Sequence, residues 1–195
     1  MSRLAGMAAF AAASPVIAVV ALAVRLVDGR PVLFEQERAG LGGETFMLRK
    51  FRTMRPPRYD GEPDAERITR LGRLLRASSL DELPTLWNVV RGEMNLVGPR
   101  PLPPAYTPLY NPAQARRLEV KPGLTGLTQV RGRNGLSWEE KFALDTWYVE
   151  HRSWRLDLRL LAETPLAVLG GRGVSHPGHA TMPAFRGSQP RRSEP

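Results

Sequence analysis

Ser79-Leu80-Asp81-Glu82-Leu83-Pro84 places two adjacent carboxylates a few residues after Arg70, Arg73 and Arg76. Acids set among guanidinium groups make a place where a metal ion and phosphates can meet. Carboxylates attract cations, and each arginine offers phosphate a flat, two-pronged donor set. Pro84 has no backbone N–H to give, so it fits only the first turn of a helix. That favours a start at or after Asp81, where free amides and the helix dipole stabilise negative charge. In the plainer reading Asp81 is only a cap and Glu82 a surface residue, although Ser79 and Glu82 also match a capping box. The neighbourhood shifts the balance. Lys50 and Arg52 lie in Lys50-Phe51-Arg52-Thr53-Met54, Arg100 is fixed between Pro99 and Pro101, and a glycine-rich run from Lys121 to Arg133 carries Thr125, Gln129, Arg131 and Arg133. Cations on rigid turns, with a carboxylate able to hold magnesium, describe a diphosphate site.

The elements that must position these groups follow from pattern. Val32–Arg38 and Thr45–Phe51 alternate as strands about the turn Ala39-Gly40-Leu41-Gly42-Gly43, which predicts a hairpin. Residues 56–66, rich in proline and charge, read as a surface loop. Leu71, Leu74 and Leu75 recur at helical spacing over 70–77, and a second helix is expected from about Asp81 to Val90, stopped by Gly92. Proline density over 98–112 predicts a loop, ordered or draped. Ser137-Trp138-Glu139-Glu140 is a capping box that opens a helix to about Glu150. Trp154–Leu169 reads as an amphipathic helix with Leu158, Leu161 and Val168 on one stripe and Arg152, Arg155 and Arg159 elsewhere, ended by Gly170-Gly171. Such a helix suits a membrane interface or an ordinary core. From Arg172 onward glycine, proline, serine and arginine predict a disordered tail.

Leu4–Val24 carries no charge, with Arg3 before it and Arg25 after it. At ~1.5 Å rise per residue such a helix can reach across a hydrocarbon core of ~30 Å. Ser14-Pro15 interrupts its middle, since proline removes one backbone bond and the freed carbonyl needs another donor. The segment therefore either crosses with a kink or bends and leaves on the side it entered. A secretory signal ending at Ala21-Leu22-Ala23 is the alternative, disfavoured by the length of the run, the central proline and the basic region that follows.

The 195 residues carry a net charge of +9, and among 28 basic residues only Lys50, Lys121 and Lys141 are lysine. That balance suits nucleic acid, an anionic membrane or a polyphosphate substrate. The absence of cysteine excludes disulfides, thiol catalysis and cysteine-bound zinc. His151, His176 and His179 form no ligand spacing with nearby acids. Aromatic residues do not interleave with basic ones, so a nucleic-acid partner is not expected.

KFRTM, LRASSLDELPTLWNVVRGEMNLVGPRP and KPGLTGLTQVRGR, in that order, resemble the bacterial sugar transferases, the monotopic phosphoglycosyl transferases that start extracellular glycan assembly. The resemblance covers about residues 3–170 and is that of the small form, with one membrane helix and no spanning helices in front. It implies transfer of sugar-1-phosphate from a UDP-sugar to polyprenol phosphate, with UMP released. Asp81 maps onto the family nucleophile and would form an acyl-phosphate. Glu82 would assist the incoming lipid phosphate, Mg2+ would sit near Asp81, and Arg76 and Arg100 would bind phosphate, joined by Lys50 and Arg52. Thr125, Gln129, Arg131 and Arg133 would form a nucleotide-sugar loop. The Ser14-Pro15 break implies a re-entrant helix and a catalytic domain on the cytoplasmic face of the bacterial inner membrane. Glu93 stands where the family usually has aspartate, Asn95 where serine is common, and Arg3 alone where a basic pair is frequent.

The expected architecture is a mainly helical domain with a small β-hairpin. It comprises a membrane-inserted helix over 1–28, a catalytic domain over 29–171 and a basic tail over 172–195. Two other activities compete: a magnesium-dependent nucleotide-sugar hydrolase that needs no lipid, and a basic, membrane-tethered binding module.

Overall fold

The structure, a computed structural model, describes residues 2–132, 135–170 and 182–187. Helix α1 (Ser2–Val27) carries Pro15 in its interior and continues through it as one element. Pro15 cannot donate to the Ala11 carbonyl one turn back, and Ser14 Oγ donates to that carbonyl instead at 2.8 Å. By length and composition α1 could cross a membrane. Leu4, Val19, Leu22 and Leu26 are exposed along it, whereas Val20 and Val24 are buried.

Strands β1 (Leu33–Ala39) and β2 (Thr45–Phe51) form the expected antiparallel hairpin, with Leu33 opposite Phe51 and Glu35 opposite Arg49. A single turn of helix, α2 (Asp64–Arg67), interrupts the loop read over 56–66. Helix α3 (Arg70–Ser78) follows, its Thr69 side chain accepting from the Gly72 amide at 2.8 Å. Gly72 lets α3 press on the end of the hairpin, since a Cβ there would collide with the Thr53 carbonyl. Phe51, Leu75, Val20 and Val24 close one core cluster, so α1 is part of the domain's packing.

The helix expected from Asp81 to Val90 is two pieces. Residues Leu80–Thr85 form a 3₁₀ turn containing Pro84, and α4 (Leu86–Arg91) follows, stopped by Gly92 at φ 79°. No side-chain cap forms at Ser79. Phe10 of α1 lies against Trp87 of α4, with ring centroids 5.6 Å apart.

A second sheet was not anticipated. Strand β3 (Asn95–Val97) pairs in parallel with β4 (Gly123–Thr125), with Asn95 opposite Gly123 and Val97 opposite Thr125. Three-residue strands give too little periodicity to read from sequence. A Cβ on Gly123 would strike the Gly98 amide, so glycine allows these backbones their close approach. The 98–112 region is ordered, with a 3₁₀ helix at Pro104–Leu109, and leads into the single turn α5 (Pro112–Ala115).

Beyond β4 come α6 (Leu127–Arg131), α7 (Trp138–His151), opened by the expected Ser137/Glu140 capping box, and α8 (Trp154–Leu169). The core-facing side of α8 differs from the stripe read in the sequence. Leu160 is buried with Val97, Leu127 and Tyr148, and Leu156 and Leu161 pack beside it. Leu158 is exposed together with Trp154, Leu166 and Leu169. The sequence shows an apolar stripe but not which stripe meets the core, because α8 has two. Within the stretch read as a disordered tail, residues 182–187 are described. They place Phe185 against Leu102 and Phe142, with Tyr106, Tyr110 and Trp138 packed around them.

Candidate active site

Ser79 ends α3 in a left-handed conformation at φ 57°, a position sparsely occupied by residues other than glycine. The chain reverses there into the 3₁₀ turn that carries Asp81 and Glu82. Two buried side chains fix this turn beneath β2. Thr85 Oγ1 donates to the Arg49 carbonyl at 2.9 Å, and Asn88 Nδ2 to the Met47 carbonyl at 2.7 Å. Lys50, next along the strand, then meets Glu82.

Glu82 Oε1 accepts from Lys50 Nζ at 2.5 Å and from Arg100 Nη2 at 2.7 Å. Burial alone would raise the Glu82 carboxyl, but Arg100 and Lys50 together hold it well below the usual carboxylate range. Asp81 behaves oppositely. Burial, then the charge of Glu82, pushes it up to about 6 against the pull of Lys50, Arg100 and Arg76. Among the described residues Asp81 has no ion-pair or hydrogen-bond partner. Burial also lowers the Lys50 ammonium, which Glu82 partly restores. Two neighbouring carboxyl groups thus diverge, one a fixed anion and the other poised near neutrality.

Asp81, Glu82, Lys50, Arg76 and Arg100 line one cavity of about 1000 Å³. Arg76 Nε donates to Thr53 Oγ1 at 2.9 Å, which fixes the guanidinium in the cavity wall. Arg100 is held from behind. Arg117 Nη2 donates to the Arg100 carbonyl at 2.6 Å and to Asp145 Oδ2 at 2.8 Å, and Thr128 Oγ1 donates to Asp145 Oδ1 at 2.7 Å. Arg117 and Asp145 are both buried, so this pair locks α6 and α7 to the Gly98–Pro101 turn.

Other expected site residues are placed differently. Arg52 also borders the cavity, but its terminal nitrogens donate to the carbonyls of Asp28 and Arg30, beyond the end of α1. Thr125 Oγ1 lies 2.8 Å from Thr164 Oγ1 and ties β4 to α8. Gln129 faces the cavity with both side-chain amide atoms buried and unpartnered among the described residues. Arg131 is exposed and does not line the cavity, and Arg133 lies outside the described residues. Among the groups that line the cavity but were not singled out in the sequence are Arg38, Lys141 and Asp145. Arg38 stands among glycines in a turn-proximal strand, and Asp145 in a regular helix, so neither has a local signal.

Among the described residues no cluster of three or more acids and histidines forms a metal cage. Magnesium does not require one, since it commonly binds through one or two carboxylates plus substrate phosphates. Asp81, unpaired and bordered by Lys50, Arg76 and Arg100, fits that pattern.

Comparison with known proteins bears on this site. The model of the bacterial sugar transferase family matches residues 1–171. The Bacillus subtilis protein named uncharacterized sugar transferase EpsL is 52% identical over 168 residues, spanning 85% of this chain and 83% of its own length. A Caulobacter vibrioides UDP-glucose:undecaprenyl-phosphate glucose-1-phosphate transferase is 43% identical over 171 residues, spanning 80% of this chain and 63% of its own length. The exopolysaccharide production protein ExoY of Sinorhizobium fredii is 38% identical, with 85% of this chain and 82% of that protein covered.

Proposed function

This chain belongs to the bacterial sugar transferases, and from that premise we propose that it moves sugar-1-phosphate from a UDP-sugar to polyprenol phosphate through a covalent intermediate on Asp81. The supporting observation is the unpaired Asp81 carboxyl beside a fixed Glu82, in a cavity shared with Arg76, Lys50 and Arg100. An Asp81 oxygen attacks the phosphorus that bears the sugar. The bond from that phosphorus to the bridging oxygen breaks, and UMP leaves with the oxygen and its electron pair. The lipid phosphate then attacks the same phosphorus, releasing the Asp81 carboxylate and forming the polyprenyl diphosphate sugar.

The three cations offset the charge of an anionic nucleophile approaching a diphosphate. Glu82, ionised and bound to Lys50 and Arg100, is a poor proton acceptor. It is suited to aiming those two cations. Asp81 and the diphosphate oxygens would hold Mg2+, which supplies further charge neutralisation when bound.

A lipid phosphate cannot leave a bilayer cheaply, so the site must meet it at headgroup height. The exposed apolar faces of α1 and α8 suit that placement, with Arg155 and Arg159 beside the latter. On this reading α1 is re-entrant, bent at Ser14-Pro15, and the catalytic body lies on the cytoplasmic face of the bacterial inner membrane. The reaction would be the first membrane step of exopolysaccharide, O-antigen or glycoprotein glycan assembly.

The test is UMP release by the detergent-purified protein with magnesium over a panel of UDP-sugars, with and without polyprenol phosphate. Release that depends on the lipid, with label from the sugar phosphate appearing on Asp81 when the lipid is withheld, is expected. Rapid steady release without lipid would instead identify a hydrolase.

A further inference from the structure

The cavity wall holds a cation that the steps on Asp81 leave unused. Lys141 on α7 is 8% exposed and lines the cavity. Its ammonium sits 5.0 Å from the centroid of the Trp138 ring and donates no hydrogen bond among the described residues. The charged groups facing it are Arg100 and Asp145, and the Asp145 carboxylate is already committed to Arg117 and Thr128. Burial, then Arg100, pushes Lys141 down to about 8 against Asp145. An ammonium in the cavity wall that no protein oxygen among the described residues engages is free to meet an anion that enters.

Trp138 is itself held from outside the region that the family model matches. Its indole Nε1 donates to the Pro183 carbonyl at 3.0 Å, and Phe185 lies 5.5 Å from its ring centroid. Phe185 is 4% exposed and also packs on Phe142 at 4.9 Å. Phe142 stacks on the indole at 5.7 Å. The match to the family model ends at residue 171, and residues 182–187 lie beyond it.

We propose that Lys141 binds the phosphate of the departing nucleotide, and that residues 182–187 act as a brace in cis that sets Lys141 through Trp138. The proposal rests on the reaction given above. The attacked phosphorus already has Arg76, Lys50 and Arg100 around it, and Lys141 reaches the same cavity from α7, an element that contributes none of those three cations. A diphosphate bound there has a second phosphate for it to meet. That phosphate carries one negative charge in the donor and gains a second as the bridging bond breaks and the oxygen keeps the electron pair. A cation there opposes charge that appears as the reaction proceeds. A neutral sugar would offer Lys141 no such anion, whereas the carboxylate of an acidic sugar would.

The experiment measures UMP and uridine binding by calorimetry to the full-length protein in detergent, for wild type, Lys141→Met, Lys141→Arg, Phe185→Ala and Phe185→Leu. UMP affinity is expected to fall about 10- to 100-fold in Lys141→Met and Phe185→Ala, the scale of a hydrogen bond to a charged group. Uridine binding stays unchanged, Lys141→Arg retains UMP, and Phe185→Leu restores most of it. The Lys141→Met/Phe185→Ala pair loses no more than the worse single variant. In turnover, kcat/KM for the UDP-sugar falls while KM for polyprenol phosphate holds. Melting temperatures report whether Phe185→Ala stays folded, and if it does not, Trp138→Phe, which keeps a ring but loses the bond to the Pro183 carbonyl, carries the test: lowered UMP affinity with uridine binding unchanged supports the brace, and unchanged UMP affinity overturns it. Unchanged UMP binding in Lys141→Met, additive losses in the double variant, or an effect confined to donors with acidic sugars each overturns the proposal. A wild type that binds no UMP and releases none from any UDP-sugar would instead overturn the reaction itself.

Discussion

Arg100 Nη2 lies 2.7 Å from Glu82 Oε1, the same oxygen that Lys50 Nζ reaches at 2.5 Å. One carboxylate oxygen thus gathers two cations and stays ionised, while its neighbour Asp81 receives only their longer-range field. Sequence adjacency gives the two acids opposite characters.

The acidic limb of activity should report Asp81. A nucleophile raised to about 6 is mostly protonated at pH 5, so kcat/KM rises with pH through about 6 and then levels. A pH–rate profile with no titration between 5 and 7 would falsify this assignment.

Stability should move in the other direction. The folded-state value of about 6 lies above the ordinary aspartate value of 3.8, so the native protein binds the proton more tightly. The stability from that protonated form is full below about pH 4 and is lost as pH rises through about 6, on the order of 2–3 kcal/mol. Asp81→Asn should therefore melt higher than wild type at pH 7.5, match it near pH 4, and release no UMP. Equal melting temperatures at pH 7.5 would show that Asp81 is not strained by its surroundings.

Glu82→Gln should separate aiming from charge. Losing the anion removes repulsion from Asp81, so the acidic limb shifts to lower pH. Lys50 and Arg100 lose the group that holds them, and the plateau rate should fall by about 100-fold, typical of one displaced electrostatic donor. An acidic limb that stays in place would mean that burial alone sets Asp81.

Asp145→Asn breaks a buried pair and leaves Arg117 without its counter-charge. The expected cost is about 3–5 kcal/mol, read by chemical denaturation. Because Arg117 also holds the Arg100 carbonyl, the folded fraction should show a raised KM for the UDP-sugar. A variant within 1 kcal/mol of wild type, by the same scale, would mean that Arg117 finds another acceptor.

Leu166→Glu places a charge on the exposed apolar stripe of α8, away from the core. Vesicle co-sedimentation should weaken while the melting temperature stays within about a degree or two, as for a surface change of under ~0.5 kcal/mol. Unaltered sedimentation would assign that stripe to something other than lipid.

The parts legible in the sequence were those with a local signature. The hairpin showed in its alternation and glycine turn, α7 in its capping box, α8 in its bounds, and the freed Ala11 carbonyl in the Ser14-Pro15 pair. The site was legible where charge density marked it, at Asp81, Glu82, Arg76, Lys50 and Arg100. What stayed hidden depended on contacts between distant residues. Arg52 looks like Lys50, yet it falls just past the end of β2, and its guanidinium turns to the carbonyls of Asp28 and Arg30 beyond the end of α1. Asp145 and Lys141 sit in an unremarkable helix and gain significance only from what α7 faces. Phe185 stands in a stretch whose composition reads as unstructured, and a single aromatic residue leaves no periodic trace.

Val20 and Val24 of α1 share their cluster with Phe51 and Leu75, and Thr69 and Arg52 grip Asp28 just past the end of that helix. Tether and catalytic body are therefore one cooperative unit, with no swivel between them. Clipping the chain after Asp28 would yield no water-soluble fragment, because it would strip the lid from a greasy interior and leave Phe51 facing solvent.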